Sequence, residues 1–238
     1  MSAVAEPSLV PKGRSSKALF IVGAVGCIIN TIAAIWFFLA YARIIRLGSV
    51  SYTSYWTIGY VLLVIGLSLA SVGYIGARRN YGSGVGTASF AITIVVSILF
   101  LLWTIWQIMD YPFFNDYYEE YQLLRSSIFA TIYEIFFVMV ILWGVTHITT
   151  RRFTGKLGLS LATGIMLILA AVFVDIWIAL WFVAFSGNSH LVIYNSLLRE
   201  IVDAFELIWT LLFFVSQILA TTLFFMAKVP ELPAKPTT

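Results

Sequence analysis

Long apolar stretches with short polar punctuation divide the chain into six runs, at about 18–45, 55–77, 87–108, 128–149, 159–185 and 204–227. Each is long enough to cross about 30 Å of hydrocarbon, which takes about 20 residues at about 1.5 Å per residue. Runs of this length read as helices. A membrane-crossing β-strand needs only about 10 residues and alternates in polarity. No proline falls within any run, and only Pro112 lies outside the two ends of the chain. The pattern predicts an all-α fold: a polytopic integral membrane protein, a bundle of six transmembrane helices over 18–228. The flanking segments 1–17 and 229–238 read as disordered cytoplasmic tails.

Composition strengthens this reading. The chain is 61% hydrophobic and 11% charged over 238 residues. Soluble domains are about 45–50% apolar and about 25% charged, so water could not accommodate this surface. Lys12, Arg14 and Lys17 precede apolar residues in the manner of a signal peptide. The run behind them far exceeds a signal core of about 7–15 residues, so a retained helix is expected. The same argument sets aside Ala24-Val25-Gly26-Cys27 as a lipidation box. Cys27 is the single cysteine, which excludes an internal disulfide and a multi-cysteine metal cluster.

Charge orients the predicted spans. Ten basic residues (Lys12, Arg14, Lys17, Arg78, Arg79, Arg151, Arg152, Lys156, Lys228 and Lys235) fall on one side, against Arg43, Arg46, Arg125 and Arg199 on the other. Basic loops favour the cytoplasm, so Arg78, Arg79, Arg151 and Arg152 act as topology determinants and both termini are expected inside. The net charge of +3 forms no continuous basic patch, and no nucleic-acid partner is expected. The other end collects Asp110, Asp116, Glu119, Glu120, Glu200 and Asp203, with an aromatic belt of Tyr111, Phe113, Phe114, Tyr117, Tyr118 and Tyr121.

An internal repeat is suggested by Arg78-Arg79-x-x-Gly82 and Arg151-Arg152-x-x-Gly155, 73 positions apart (151 − 78 = 73). A loop rich in basic residues could arise twice independently. If the repeat is real, its unit is a helical hairpin in one orientation. Small residues at 66/70 and 73/77 (Gly66, Ala70, Gly73, Ala77) and at 158/162 (Gly158, Ala162) have the spacing that lets helices approach closely.

Ionisable groups within an apolar span are costly and mark where function is sought. Glu134 lies roughly 12 Å and Asp175 roughly 15 Å below the acidic ends of their runs at helical rise. Consecutive helices pack side by side, so the two carboxyls are expected at one level of one interface, facing the bundle interior. Two close carboxyls share a proton or bind a cation. Glu200, Asp203 and Glu206 share one face at the start of the sixth run, where acids also suit the helix dipole. Glu206 lies deeper, and with Glu134 and Asp175 it forms a candidate ion or proton site in the outer half. Each acid also has a purely packing explanation. Asn30 and Gln217 fall near the middle of the first and last runs and read as polar glue.

His147 and His190 fall on opposite sides, so no shared metal or haem is expected, and no cofactor follows from any motif. The chain has no Gly-x-Ser-x-Gly, His-Glu-x-x-His or Walker loop, and Gly82-Ser83-Gly84-Val85-Gly86 reads as a flexible turn. The leading expectation is a non-catalytic membrane protein of the cell membrane. It would be an accessory or scaffold subunit that meets lipid and packs against a membrane-protein partner or a second copy. The alternative is a small proton- or cation-coupled transporter or channel. What separates them in the sequence is that the halves of the spans nearer the arginines look nearly featureless, whereas a permeation path needs lining groups throughout.

Overall fold

The computed structural model describes residues 17–41, 52–110, 118–152, 154–186 and 196–229. They form six helices: α1 (Lys17–Tyr41), α2 (Tyr52–Tyr81), α3 (Gly84–Asp110), α4 (Tyr118–Thr150), α5 (Leu157–Ser186) and α6 (Ser196–Met226). All six are long and apolar enough to cross a membrane. The tails, nearly all of the aromatic belt, and His190 lie outside the described residues or side chains.

Each helix packs on its neighbours in chain order, and α6 returns to α1, so the six close a ring. The ring follows from short hairpin connections, which keep successive helices antiparallel and adjacent. Where α2 ends, the Gly82 amide donates to the Arg78 carbonyl at 2.8 Å, and after α4 the Thr154 amide, one position before Gly155, donates to the Thr150 carbonyl at 3.3 Å. Gly82 and Gly155 both take φ of 68°, the left-handed conformation that ends helices and that only glycine adopts without strain. The Arg-Arg-x-x-Gly motif therefore encodes one helix stop used twice.

The offset of 73 runs through the interior. It links Tyr60 to Tyr133 and Tyr74 to His147, and both pairs are in hydrogen-bond contact across the bundle. Alternate steps of three and four residues place 60, 63, 67, 70, 74, 77 and 81 of α2 inside. Adding 73 gives buried positions along α4 and the turn after it (133, 136, 140, 143, 147, 150, 154), and adding it again gives buried positions along α6 and just past its end (206, 209, 213, 216, 220, 223, 227). This is the spacing of a helical seam, in which alternating steps keep one narrow stripe on the axis. Three hairpins, α1–α2, α3–α4 and α5–α6, thus follow one another around the ring. Their second helices meet at its centre.

Aromatic rings fill that centre. Tyr74 stacks on Trp143 at 4.9 Å and meets Phe224 at 5.7 Å, and Phe136 contacts Phe213 at 5.6 Å. Glycine sets the spacing in the outer ring. A Cβ on Gly23 would meet the Gly73 backbone, and one on Gly144 would meet the Gly164 carbonyl at 2.8 Å, so α1–α2 and α4–α5 approach backbone to backbone. Ala70 lies against Gly26, Gly66 leaves room for the Asn30 amide, and Ala77 is buried. The expected Gly158/Ala162 contact does not form. Both residues are exposed, and α5 meets α4 through Gly164 instead, on another face.

Candidate functional site

The outermost complete layer of the seam joins Tyr60, Tyr133 and Glu206, equivalent positions in the three hairpins. The two phenol oxygens are 3.5 Å apart. Glu206 is 5% exposed and lies near enough to Tyr133 to act on it electrostatically. Trp177 and Trp209 pack on Tyr133 at ring distances of 5.1 and 6.3 Å. The indole N–H groups of Trp103, Trp177 and Trp209 are buried with no protein acceptor among the described residues. Tyr133, Trp209 and Thr210 line a void of water size one layer deeper. Glu206 takes its place in the tyrosine layer by the seam's spacing: counting back from Phe213 by four and three reaches 206.

Glu134 and Asp175 are placed differently. They neighbour each other across α4 and α5, close enough to repel electrostatically. Yet Glu134 is exposed on the outward face and Asp175 is half-buried. The expectation that both face the bundle interior is corrected, and with it the idea of one vestibule shared by three acids. The reason is helical geometry: Tyr133 takes the seam position, and the next residue points about 100° away from it. Glu200 is exposed and Asp203 half-buried on the turns before Glu206.

Asn30 and Gln217 meet where α6 closes on α1. The Asn30 amide donates to Gln217 Oε1 at 3.4 Å, and both side chains are fully buried. Asn30 Oδ1 and Gln217 Nε2 have no protein partner among the described residues. Cys27 is buried on α1. Arg78, Arg79 and Arg152 are exposed at the opposite end from Glu206, and Arg151 is half-buried there.

The half of the bundle nearer the arginines is not featureless, which overturns the sequence argument against a polar path. Tyr74 OH meets His147 Nε2 at 3.2 Å. Trp143 donates to Thr93 Oγ1 at 2.8 Å, and Ser89 and Thr146 share a hydrogen bond of 2.8 Å. Thr150, Thr154, Ser160 and Thr163 are also buried. These were hard to see in sequence because serine and threonine bond back to carbonyls of their own helix, as Thr150 does to Thr146, and so tolerate an apolar span.

Among the described residues no three His, Cys, Asp or Glu side chains converge on a point that would hold a metal. Comparison with protein-family models, curated proteins and solved structures finds no match to this chain.

Proposed function

We propose that the chain is an integral protein of the cell membrane, with six spans and both termini cytoplasmic. In this reading it is a non-catalytic accessory or scaffold subunit that packs against a membrane partner through the α4–α5 face. The observation that carries this is the outward position of Glu134 at span depth. An acid at mid-span costs about 2.5–3.5 kcal/mol on insertion scales, so it is retained where something answers it. The matching partner surface is a transmembrane helix that presents a basic or hydrogen-bond-donating side chain. Orientation rests on the arginine-rich loops, which favour the cytoplasm. The densely packed axis also suits a structural subunit better than an open pore.

The test is isolation from native membranes in mild detergent. The wild-type chain should bring a stoichiometric partner, or a second copy of itself. Glu134→Gln combined with Asp175→Asn should lose it while helix content is retained. A monomeric wild-type chain with no companion contradicts the reading.

A proton- or cation-coupled carrier is the second reading. It is favoured by Glu206 in the axial tyrosine layer and by the polar groups further along the seam. Proteoliposomes decide it. A carrier should show pH- or ion-dependent flux that Glu206→Gln abolishes without unfolding the chain. Absence of flux in the parent protein rejects it.

A further inference from the structure

At the arginine-rich end, the turn between α4 and α5 gathers cations from two parts of the chain. Arg151 and Arg152 follow the end of α4, Lys156 precedes α5, and Gly155 is exposed between them. Thr154 fixes this turn from inside. Its hydroxyl donates to the Arg151 carbonyl at 3.0 Å, accepts from the Lys156 amide at 3.3 Å and meets Ser160 Oγ at 3.3 Å. Lys228, just past α6, is tied to the same turn. Its amide donates to the Thr154 carbonyl at 3.4 Å, and its carbonyl accepts from the Tyr81 hydroxyl at 2.7 Å. Its side chain then lies on Gly155, where a Cβ would meet Lys228 Cδ at 2.9 Å.

The repeat shows how this arrangement differs from the other hairpin ends. Position 228 is the third counterpart of the two turn glycines (82 + 73 = 155 and 155 + 73 = 228). The third hairpin thus has a cation where the first two have a glycine, and it lays that cation on the second turn. Like charges held together repel, and an anion beside them offsets the cost. Carboxyls of the described helices are too far away to serve. Glu134 and Asp175 stand roughly 24 Å and 27 Å along α4 and α5 from this end at helical rise, well beyond a screening length of about 8 Å. Glu231 lies outside the described residues and is one charge against four.

We propose that the α4–α5 turn and Lys228 form a headgroup site for a membrane lipid of net negative charge. Apolar neighbours favour a lipid over a soluble anion. Leu157 follows Lys156 directly, Phe225 and Met226 come just before Lys228, and all three are exposed. Charges that border exposed apolar side chains in this way match a molecule with an anionic head and hydrocarbon tails. Basic groups gathered where transmembrane helices end are attracted to anionic lipids on the same grounds. The proposal needs the chain to span a membrane. It is independent of which side is cytoplasmic and of what meets Glu134.

The experiment is electron spin resonance of spin-labelled lipids around the full chain in phosphatidylcholine bilayers. Labelled phosphatidylcholine should show a motionally restricted fraction, which reports that the chain is inserted. Labelled phosphatidylglycerol should be restricted with several-fold higher selectivity. Lys228→Gln should remove most of that preference and Lys228→Arg should keep it. Arg79→Gln, an exposed cation on the α2–α3 turn at the same end, should change it little. Lys156→Gln is the second site variant should Lys228→Gln lose helix content by circular dichroism. Equal selectivity for the two lipids in the inserted parent chain overturns the proposal. So does an equal loss in Arg79→Gln and Lys228→Gln, which would reduce the effect to overall surface charge. Loss of the preference to added inorganic phosphate, at an ionic strength where chloride leaves it intact, would assign the turn to a soluble anion instead.

Discussion

The buried polar side chains work in pairs across helices, and each pair ties two elements that dispersion alone would leave free to slide. Asn30 and Gln217 are the clearest case, since they join the first helix to the last. Hydrogen bonds between membrane helices average about 0.6 kcal/mol and reach about 1.7 kcal/mol. A double-mutant cycle with Asn30→Leu and Gln217→Leu, read by reversible unfolding in bicelles, should give a coupling in that range. Strict additivity would mean that the two amides do not stabilise each other. Trp143→Phe removes the donor to Thr93 and should cost about 1 kcal/mol in the same assay. A neutral result there would place the indole's value in packing alone. At this scale much was legible. Asn30, Gln217 and Glu206 stand out in apolar runs because each is polar where polarity is costly. The direction Glu134 faces was not legible, since one residue's shift along a helix turns a side chain by about 100°.

Helix ends and helix contacts depend on glycine for two separate reasons. At Gly82 and Gly155 the reason is the backbone, because φ of 68° is costly for other residues. Gly155→Ala should destabilise by about 1–2 kcal/mol. Gly84→Ala, where nothing stands in the way of a Cβ, should be close to neutral. Equal effects of the two would contradict this account of the turn. At Gly144 the reason is proximity to the Gly164 carbonyl. Gly144→Leu should separate α4 from α5 and lower the melting temperature sharply, whereas Gly158→Leu, on an exposed face, should not. The reverse order would restore the contact that sequence spacing suggested. Small-residue spacing alone could not choose between these faces, because α5 is apolar all round and offers no contrast between inside and outside.

For the molecule as a whole, the six long apolar helices were plain in the hydrophobic pattern, and the paired Arg-Arg-x-x-Gly turns pointed to a hairpin repeat. The third copy was hidden, because its equivalent segment reads Phe224-Phe225-Met226-Ala227-Lys228 and shares no residue with the motif. Only the buried positions at successive offsets of 73 reveal it. A repeat that builds a closed, aromatic-filled axis leaves its chemistry where the copies differ: Glu206 against two tyrosines inside, and Glu134 on the outward face. The proposed role rests on that outward acid.

Its most direct test is a photo-crosslinking residue placed at position 134, with position 21 on the outward face of α1 as the control, in native membranes. A discrete adduct of defined mass from position 134, absent from position 21 and weakened by Asp175→Asn, is what a partner on the α4–α5 face predicts. Lipid adducts alone at position 134, indistinguishable from those at position 21, would contradict it.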